Sequence, residues 1–243
     1  MGNMINSINI KTGMTLKEYA EDGWLEANLV SIEIIAVRDY AFANNEVMQT
    51  VEFPNVTSIG AYAFNNCKNL TSFGFDKVIT INNYAFQGCN LTGELNLPLC
   101  KLNSSKGTYA FNNNKLITSV NAPLTTIIPH SCFSGCTSIQ NVSLPLVENF
   151  NDWCFAACSV LEELTLPMAE IFTRYVFRGS GLKKLVLPKN VVAKVAADTF
   201  LDTPIAQGTG YVYVPDDLLD SYKSATNWSA IGDQIKPISE LGG

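Results

Sequence analysis

The sequence predicts one solenoid domain, mostly β, in which about eight repeats stack through short helical or tight turns and a cap closes each end. Two observations predict it. A phenylalanine recurs at Phe42, Phe64, Phe86, Phe111, Phe133, Phe155, Phe177 and Phe200, with spacings of 22, 22, 25, 22, 22, 22 and 23 residues. Between successive phenylalanines the same brief alternation of apolar and polar residues returns, usually followed by a proline. Self-similarity at a fixed period of this size is the signature of a repeat architecture.

Each unit can be built outward from its phenylalanine. A small or compact residue precedes it: Ala41, Ala63, Ala85, Ala110, Cys132, Cys154, Val176 or Thr199. Three residues after it stands Asn45, Cys67, Cys89, Asn114, Cys136, Cys158 or Ser180. Next comes the alternating pair, as in Leu95, Leu97 and Pro98, or Val142, Leu144 and Pro145. Such alternation makes a short strand with one buried face. The proline ends it, because it brings no N–H to the ladder. An apolar residue five before the next phenylalanine closes the turn, at Val37, Ile59, Ile81, Ile128, Phe150, Phe172 and Val195. One unit alone leaves its apolar face in water. Each buried Val, Leu, Ile or Phe contributes roughly 1.5–3 kcal/mol, so a unit offsets its ordering cost only between neighbours.

The irregular places follow the same logic. The 25-residue unit carries extra residues at 103–107, which are expected to bulge out as a loop. Residues 1–28 are read as an N-terminal cap, in which Thr15 and Glu18 form a capping box ahead of Leu16 and Tyr19. The solenoid proper spans 29–210 and the C-terminal cap 211–243. There Asp216 is the expected helix N-cap, Leu218, Leu219 and Tyr222 share a face, and Trp228 and Ile235 pack beneath.

Composition narrows the function classes. The chain is 47% hydrophobic and 16% charged, a foldable balance, and its net charge is −6. An acidic chain is not built to neutralise phosphates, so nucleic acid and anionic membrane surfaces are not expected partners. No apolar run is long and uninterrupted enough for membrane insertion, and no basic segment followed by an apolar core marks a secretory signal.

The pattern I-x-x-x-A-F-x-x-C-x-x-L-x-x-(L/V)-x-L-P resembles the BspA-like leucine-rich repeats of bacteria. It is clearest in IGAYAFNNCKNL at 59–70 and IPHSCFSGCTSIQNVSLP at 128–145. The ending GTGYVYVPDDLLDSYKSATNWSAIGDQIKPISEL is similar to the closing segment of many such proteins, and the likeness runs over roughly 29–241. The resemblance implies a leucine-rich repeat solenoid: a right-handed, curved stack of parallel short strands. It also implies a surface, adhesive or interaction role in gut and oral bacteria, or in their phages and prophages. It brings no catalytic residues and no cofactor.

Candidate chemistry has to be weighed against the repeat. Cys132/Cys136 and Cys154/Cys158 have the spacing of a four-thiolate zinc site. Yet these positions hold Ala, Val, Asn or Ser in other units, which points to buried thiols donating to turn backbone and to no metal. His130 beside Cys132 has the makings of a nucleophile pair, but Cys132 stands on a core position where a thiol is inert. No phosphate-binding loop, dinucleotide fingerprint or nucleophile elbow is present, so no enzyme is expected.

Two surfaces remain as binding candidates. The outward strand positions, on the side expected to be concave, carry Gln49, Glu52, Glu94, Asn121, Gln140, Asn141, Glu163 and Lys184. Short polar side chains on a flat sheet suit a protein or glycan ligand. Glu162 and Glu163 lie one unit from Lys183 and Lys184 and are placed to pair across strands. The alternative is an aromatic row, Tyr62, Tyr84, Tyr109, Trp153 and Tyr175 with Tyr40, two residues before each phenylalanine. Such rings either stack a sugar or cover the turn of their own unit. The resulting expectation is a non-catalytic recognition module for a protein or glycan at a bacterial cell surface. The alternative is a structural or host-recognition component of a phage or prophage particle.

Overall fold

The structure, a computed structural model, describes residues 28–30 and 34–242. The expected N-terminal capping box at Thr15 and Glu18 lies outside the described residues. Every repeat makes one circuit of a parallel β-solenoid. The alternating segment forms the main ladder: β1 (Asn28–Val30), β3 (Thr50–Glu52), β5 (Ser72–Phe73), β7 (Thr92–Asn96), β8 (Leu116–Asn121), β10 (Asn141–Ser143), β12 (Glu163–Thr165), β14 (Lys184–Val186), β16 (Tyr211–Val214) and β17 (Ile235–Pro237).

A second ladder accompanies the first. The closing apolar residue of each unit is the inward member of a two-residue strand: β2 (Ala36–Val37), β4 (Ser58–Ile59), β6 (Thr80–Ile81), β9 (Ile127–Ile128), β11 (Asn149–Phe150), β13 (Ile171–Phe172) and β15 (Lys194–Val195). Pairing is parallel and in repeat register, for example Val142 with Val120 and Phe150 with Phe172. A two-residue strand has no alternation to display, so its signal in the sequence is a lone apolar residue.

Of the two forms expected for the Tyr-Ala-Phe segment, the tight turn is the one observed. Its backbone donors alternate. Tyr62 N and Phe64 N reach forward to the next repeat's Asn83 and Ala85 carbonyls, while Ala63 N and Asn65 N close turns onto Gly60 and Tyr62. Every donor is thus used, half locally and half between repeats. The geometry requires a left-handed residue at the aromatic position (Tyr62, φ 57°) and again four residues on (Asn66, φ 57°). Asn or Gly fills most copies of the latter, because they tolerate that region best.

The anchor phenylalanines stack along the axis, 5.0 Å apart from Phe42 to Phe64 and from Phe64 to Phe86, and 5.4–6.3 Å apart from Phe133 to Phe177. All are buried. The inserted residues form the expected loop, an antiparallel bridge between Asn103 and Lys106 with the Asn103 side chain accepting from Ser105 N and Lys106 N. This loop interrupts the second ladder between β6 and β9.

The C-terminal segment adds β16 and β17 to the main ladder and then covers it. A 3-10 turn at Asp216–Leu218 leads into α1 (Leu219–Ser224). Asp216 is not the helix N-cap that the sequence suggests. No side chain caps this turn, and the Asp216 carboxylate instead accepts from Ser239 N at 3.1 Å. Hydrogen bonding from the Ser239 side chain, and then from its backbone, holds the carboxyl below the usual range. Pro215 directly before Asp216 fixes the entry, so the aspartate is freed to tie down the following segment. Tyr222 and Trp228 seal the last repeat. Trp228 Nε1 donates to the Ala193 carbonyl at 2.6 Å, Tyr222 OH donates to Val191 O at 2.9 Å, and Trp228 packs on Phe200 at 5.8 Å. Burial also pushes the Tyr222 hydroxyl above its ordinary pKa.

Candidate functional site

The main ladder is not continuous. It runs as three segments: β1, β3 and β5; β7, β8 and β10; then β12, β14, β16 and β17. Over the second break, between β10 and β12, lies an open concavity of about 1080 Å³. A small pocket of about 60 Å³ marks the first break, where Phe73 meets Leu95.

Five of the eight strand-face candidates line the larger groove: Glu94, Asn121, Gln140, Asn141 and Glu163. Gln49 and Glu52 belong to the first ladder segment and stand apart from it. Lys184 reaches back from the next repeat to Glu163, Nζ to Oε2 at 2.9 Å, and Lys183 does the same to Glu162 at 2.6 Å. These exposed pairs contribute about 0–1 kcal/mol each. Asn121 is half-buried and donates to the Asn96 side chain at 2.9 Å. Four polar lining residues, Ser119, Ser143, Glu162 and Thr165, fall on outward strand positions of the same repeat register. Val160, a rim residue 41% exposed, has no sequence signal of its own.

The rings of the aromatic row stack on one another from repeat to repeat. Centroids are 4.8 Å apart for Tyr40 on Tyr62, 4.6 Å for Tyr62 on Tyr84 and 4.8 Å for Tyr84 on Tyr109, with planes within 7°. Ring faces inside such a stack are occupied, which leaves edges and hydroxyls for any ligand. Ser131 interrupts the row. Beyond it Trp153 and Tyr175 lie 4.4 Å apart, with the Arg178 guanidinium over both rings at 5.2 and 5.5 Å. Tyr109 ends the first run by hydrogen bonding His130 Nε2 at 3.1 Å. His130 is therefore engaged with the tyrosine, and Cys132 beside it is fully buried.

The cysteines three residues after each phenylalanine form a ladder of their own. Each thiol donates to a phenylalanine carbonyl of the preceding repeat: Cys67 to Phe42, Cys89 to Phe64, Cys136 to Phe111 and Cys158 to Phe133, at 2.9–3.3 Å. Asn114 makes the equivalent bond to Phe86 at 2.7 Å. Ser180 occupies the same position, but its hydroxyl is buried without a partner. Burial pushes the Cys100 and Cys136 thiols up to about 12, and drives Cys89, Cys132, Cys154 and Cys158 well above the ordinary value. Cys67 is the exception, lowered by a hydrogen bond from Cys89, but it too is fully buried. Among the described residues no three His, Cys, Asp or Glu side chains come together to hold a metal ion, and no helix is long and apolar enough to cross a membrane.

Comparison with known proteins places this architecture. The family described as the BspA type leucine-rich repeat region matches in six copies, over residues 25–123 and 104–209. No curated protein matches the chain. Among solved structures, a leucine-rich repeat protein from Bacteroides ovatus is similar at 18% identity and a TM-score of 0.45, over 74% of this chain. This chain spans 59% of that protein's crystallised length. The pneumococcal vaccine antigen PcpA is similar at 14% identity and a TM-score of 0.39, over 87% of this chain and 77% of that one. With the family's repeat matched over most of its length and the parallel solenoid it entails, the chain belongs to the BspA type leucine-rich repeat family.

Proposed function

We propose that this chain is a non-catalytic recognition module that binds a protein or glycan partner through its main strand face, in an adhesive or interaction role at a bacterial cell surface. The observation that carries the reading is the groove over β8, β10 and β12. It is broad, open and lined by amides, hydroxyls and carboxylates borne on a rigid stack. Short polar side chains on a fixed backbone lose little conformational freedom when a partner docks. The thiols argue against the enzymatic reading, since each is buried and most are held protonated by burial. A nucleophile requires exposure and an activating neighbour.

The strand face is favoured over the aromatic row for a physical reason. Inside that row each tyrosine spends its faces on its neighbours, so stacking a sugar there means separating rings already in contact.

A combined glycan and protein array probed with the whole chain tests the proposal. Wild type should give saturable hits, and Asn121→Arg with Asn141→Arg should erase them while thermal melting stays unchanged. Hits that survive the double substitution would remove the strand face from consideration. Tail or capsid genes adjoining the coding sequence would redirect the reading toward a phage or prophage particle.

A further inference from the structure

We infer that the groove takes an extended peptide segment of a partner protein, lying along the solenoid axis and carrying two basic side chains roughly four residues apart. The inference rests on the strand face being the recognition surface, and goes on to name what is recognised.

Charge is the first argument. Glu94, Glu162 and Glu163 line the groove, and no lysine or arginine does. Glu94 has no ion-pair partner among the described residues. Glu162 and Glu163 are paired with Lys183 and Lys184, but these pairs are open to water and readily exchanged for a ligand cation.

Backbone is the second. From β7 onward the amide after a paired strand donates to the next repeat: Leu97 N to Asn121 O, Ala122 N to Ser143 O, Leu166 N to Val186 O and Leu187 N to Tyr213 O. The carbonyl just ahead of the Ser119 and Glu163 register position likewise accepts, as Thr118 O does from Gln140 N and Glu162 O from Lys183 N. Across the groove both kinds of bond are missing. Leu144 N and Gln140 O have no hydrogen-bond partner among the described residues. An unpaired donor and acceptor beside an open groove are available to a polar ligand. A peptide offers both complements in every residue.

Spacing is the third. Glu94, Ser119, Asn141 and Glu163 hold the same repeat position on successive rungs. Two paired steps at about 4.8 Å, and a third across the break that is at least as wide, put the outer carboxylates about 14 Å apart or slightly more. An extended chain advances about 3.3 Å per residue, so roughly four residues bridge them. Ser119 and Asn141 between them present neutral donors and acceptors to the peptide main chain. No aromatic ring lines the groove, so the face that a sugar ring ordinarily stacks on is missing, and this favours peptide over glycan.

A randomised peptide display library selected against the whole protein tests this. Enriched sequences should carry Lys or Arg pairs roughly four residues apart. Their binding should weaken about threefold to fivefold in Glu94→Gln and again in Glu163→Gln, and should fall as salt rises. Absence of enrichment, enrichment without the basic pair, or Glu variants that bind like wild type would overturn it. If the ligands selected lack the basic pair and are lost in Asn121→Arg with Asn141→Arg, the peptide inference alone fails and the recognition face stands. If neither set of substitutions matters, both fail.

Discussion

Ser180 offers a test of what holds the repeats together. It occupies the position where Cys67, Cys89, Cys136 and Cys158 each donate to a carbonyl of the repeat before, and its counterpart acceptor is Phe155 O. The serine oxygen is buried and unpartnered, and its C–O bond is shorter than the C–S bond of the thiols that do reach. A buried polar group without a partner costs about 1–3 kcal/mol. Ser180→Cys supplies the longer donor in a site whose neighbours already accommodate sulfur, so it should stabilise the chain by about 1–2 kcal/mol. For a domain of this size that is roughly 3–6 °C in melting temperature. Cys158→Ser is the mirror experiment and should cost about as much as Ser180→Cys gains. Differential scanning calorimetry on both reads the outcome. If Ser180→Cys melts no higher than wild type, or Cys158→Ser melts no lower, the thiol ladder contributes nothing and the reasoning is wrong.

Other expectations follow from the same packing. Phe86→Ala or Phe133→Ala removes a fully buried ring from the middle of the stack and should cost about 3–5 kcal/mol in denaturant titration. Tyr222→Phe strands Val191 O and Ala193 N, which bond the hydroxyl at 2.9 and 3.1 Å, and should cost about 1–3 kcal/mol with the groove unaffected. The raised thiols set a pH dependence. A folded-state pKa above the unfolded one favours the folded, protonated form, so stability is fully present below pH 9 and declines between pH 9 and about 12, by roughly 1.4 kcal/mol per unit for each such thiol. Denaturant titrations across that range should show the loss, and alkylation of native protein should stay slow until it unfolds.

Much of the fold was legible in the sequence because a repeat announces itself many times over. One Phe64 means little; eight in register determine the coil, and the alternation of Val142 and Leu144 determines which strand face is buried. What escaped is equally physical. The second ladder is made of two-residue strands, too short to show a period. The turn at Tyr62 can be read as helical because Tyr-Ala-Phe has no turn residue at its start; the left-handed tyrosine is held there by bonds to the next repeat. A single unit gives no sign that its ring stacks on that of the next, as Tyr62 does on Tyr84. The groove depends on a break between β10 and β12 that no residue type marks. Gln140 and Asn141 were recognisable as outward residues, but their place beside unpaired backbone was not.

The central claim is that recognition belongs to the strand face over β8, β10 and β12. It is tested most directly by measuring the binding of an array-identified ligand to two paired variants by calorimetry. Asn121→Arg with Asn141→Arg fills the groove, and Tyr62→Ser with Tyr84→Ser dismantles the aromatic row on the turn side. The account predicts that the arginine pair abolishes binding in a protein that melts normally, while the tyrosine pair lowers melting temperature and leaves affinity within about twofold, a shift of about 0.4 kcal/mol. Loss of binding in the tyrosine pair with full affinity in the arginine pair would contradict it.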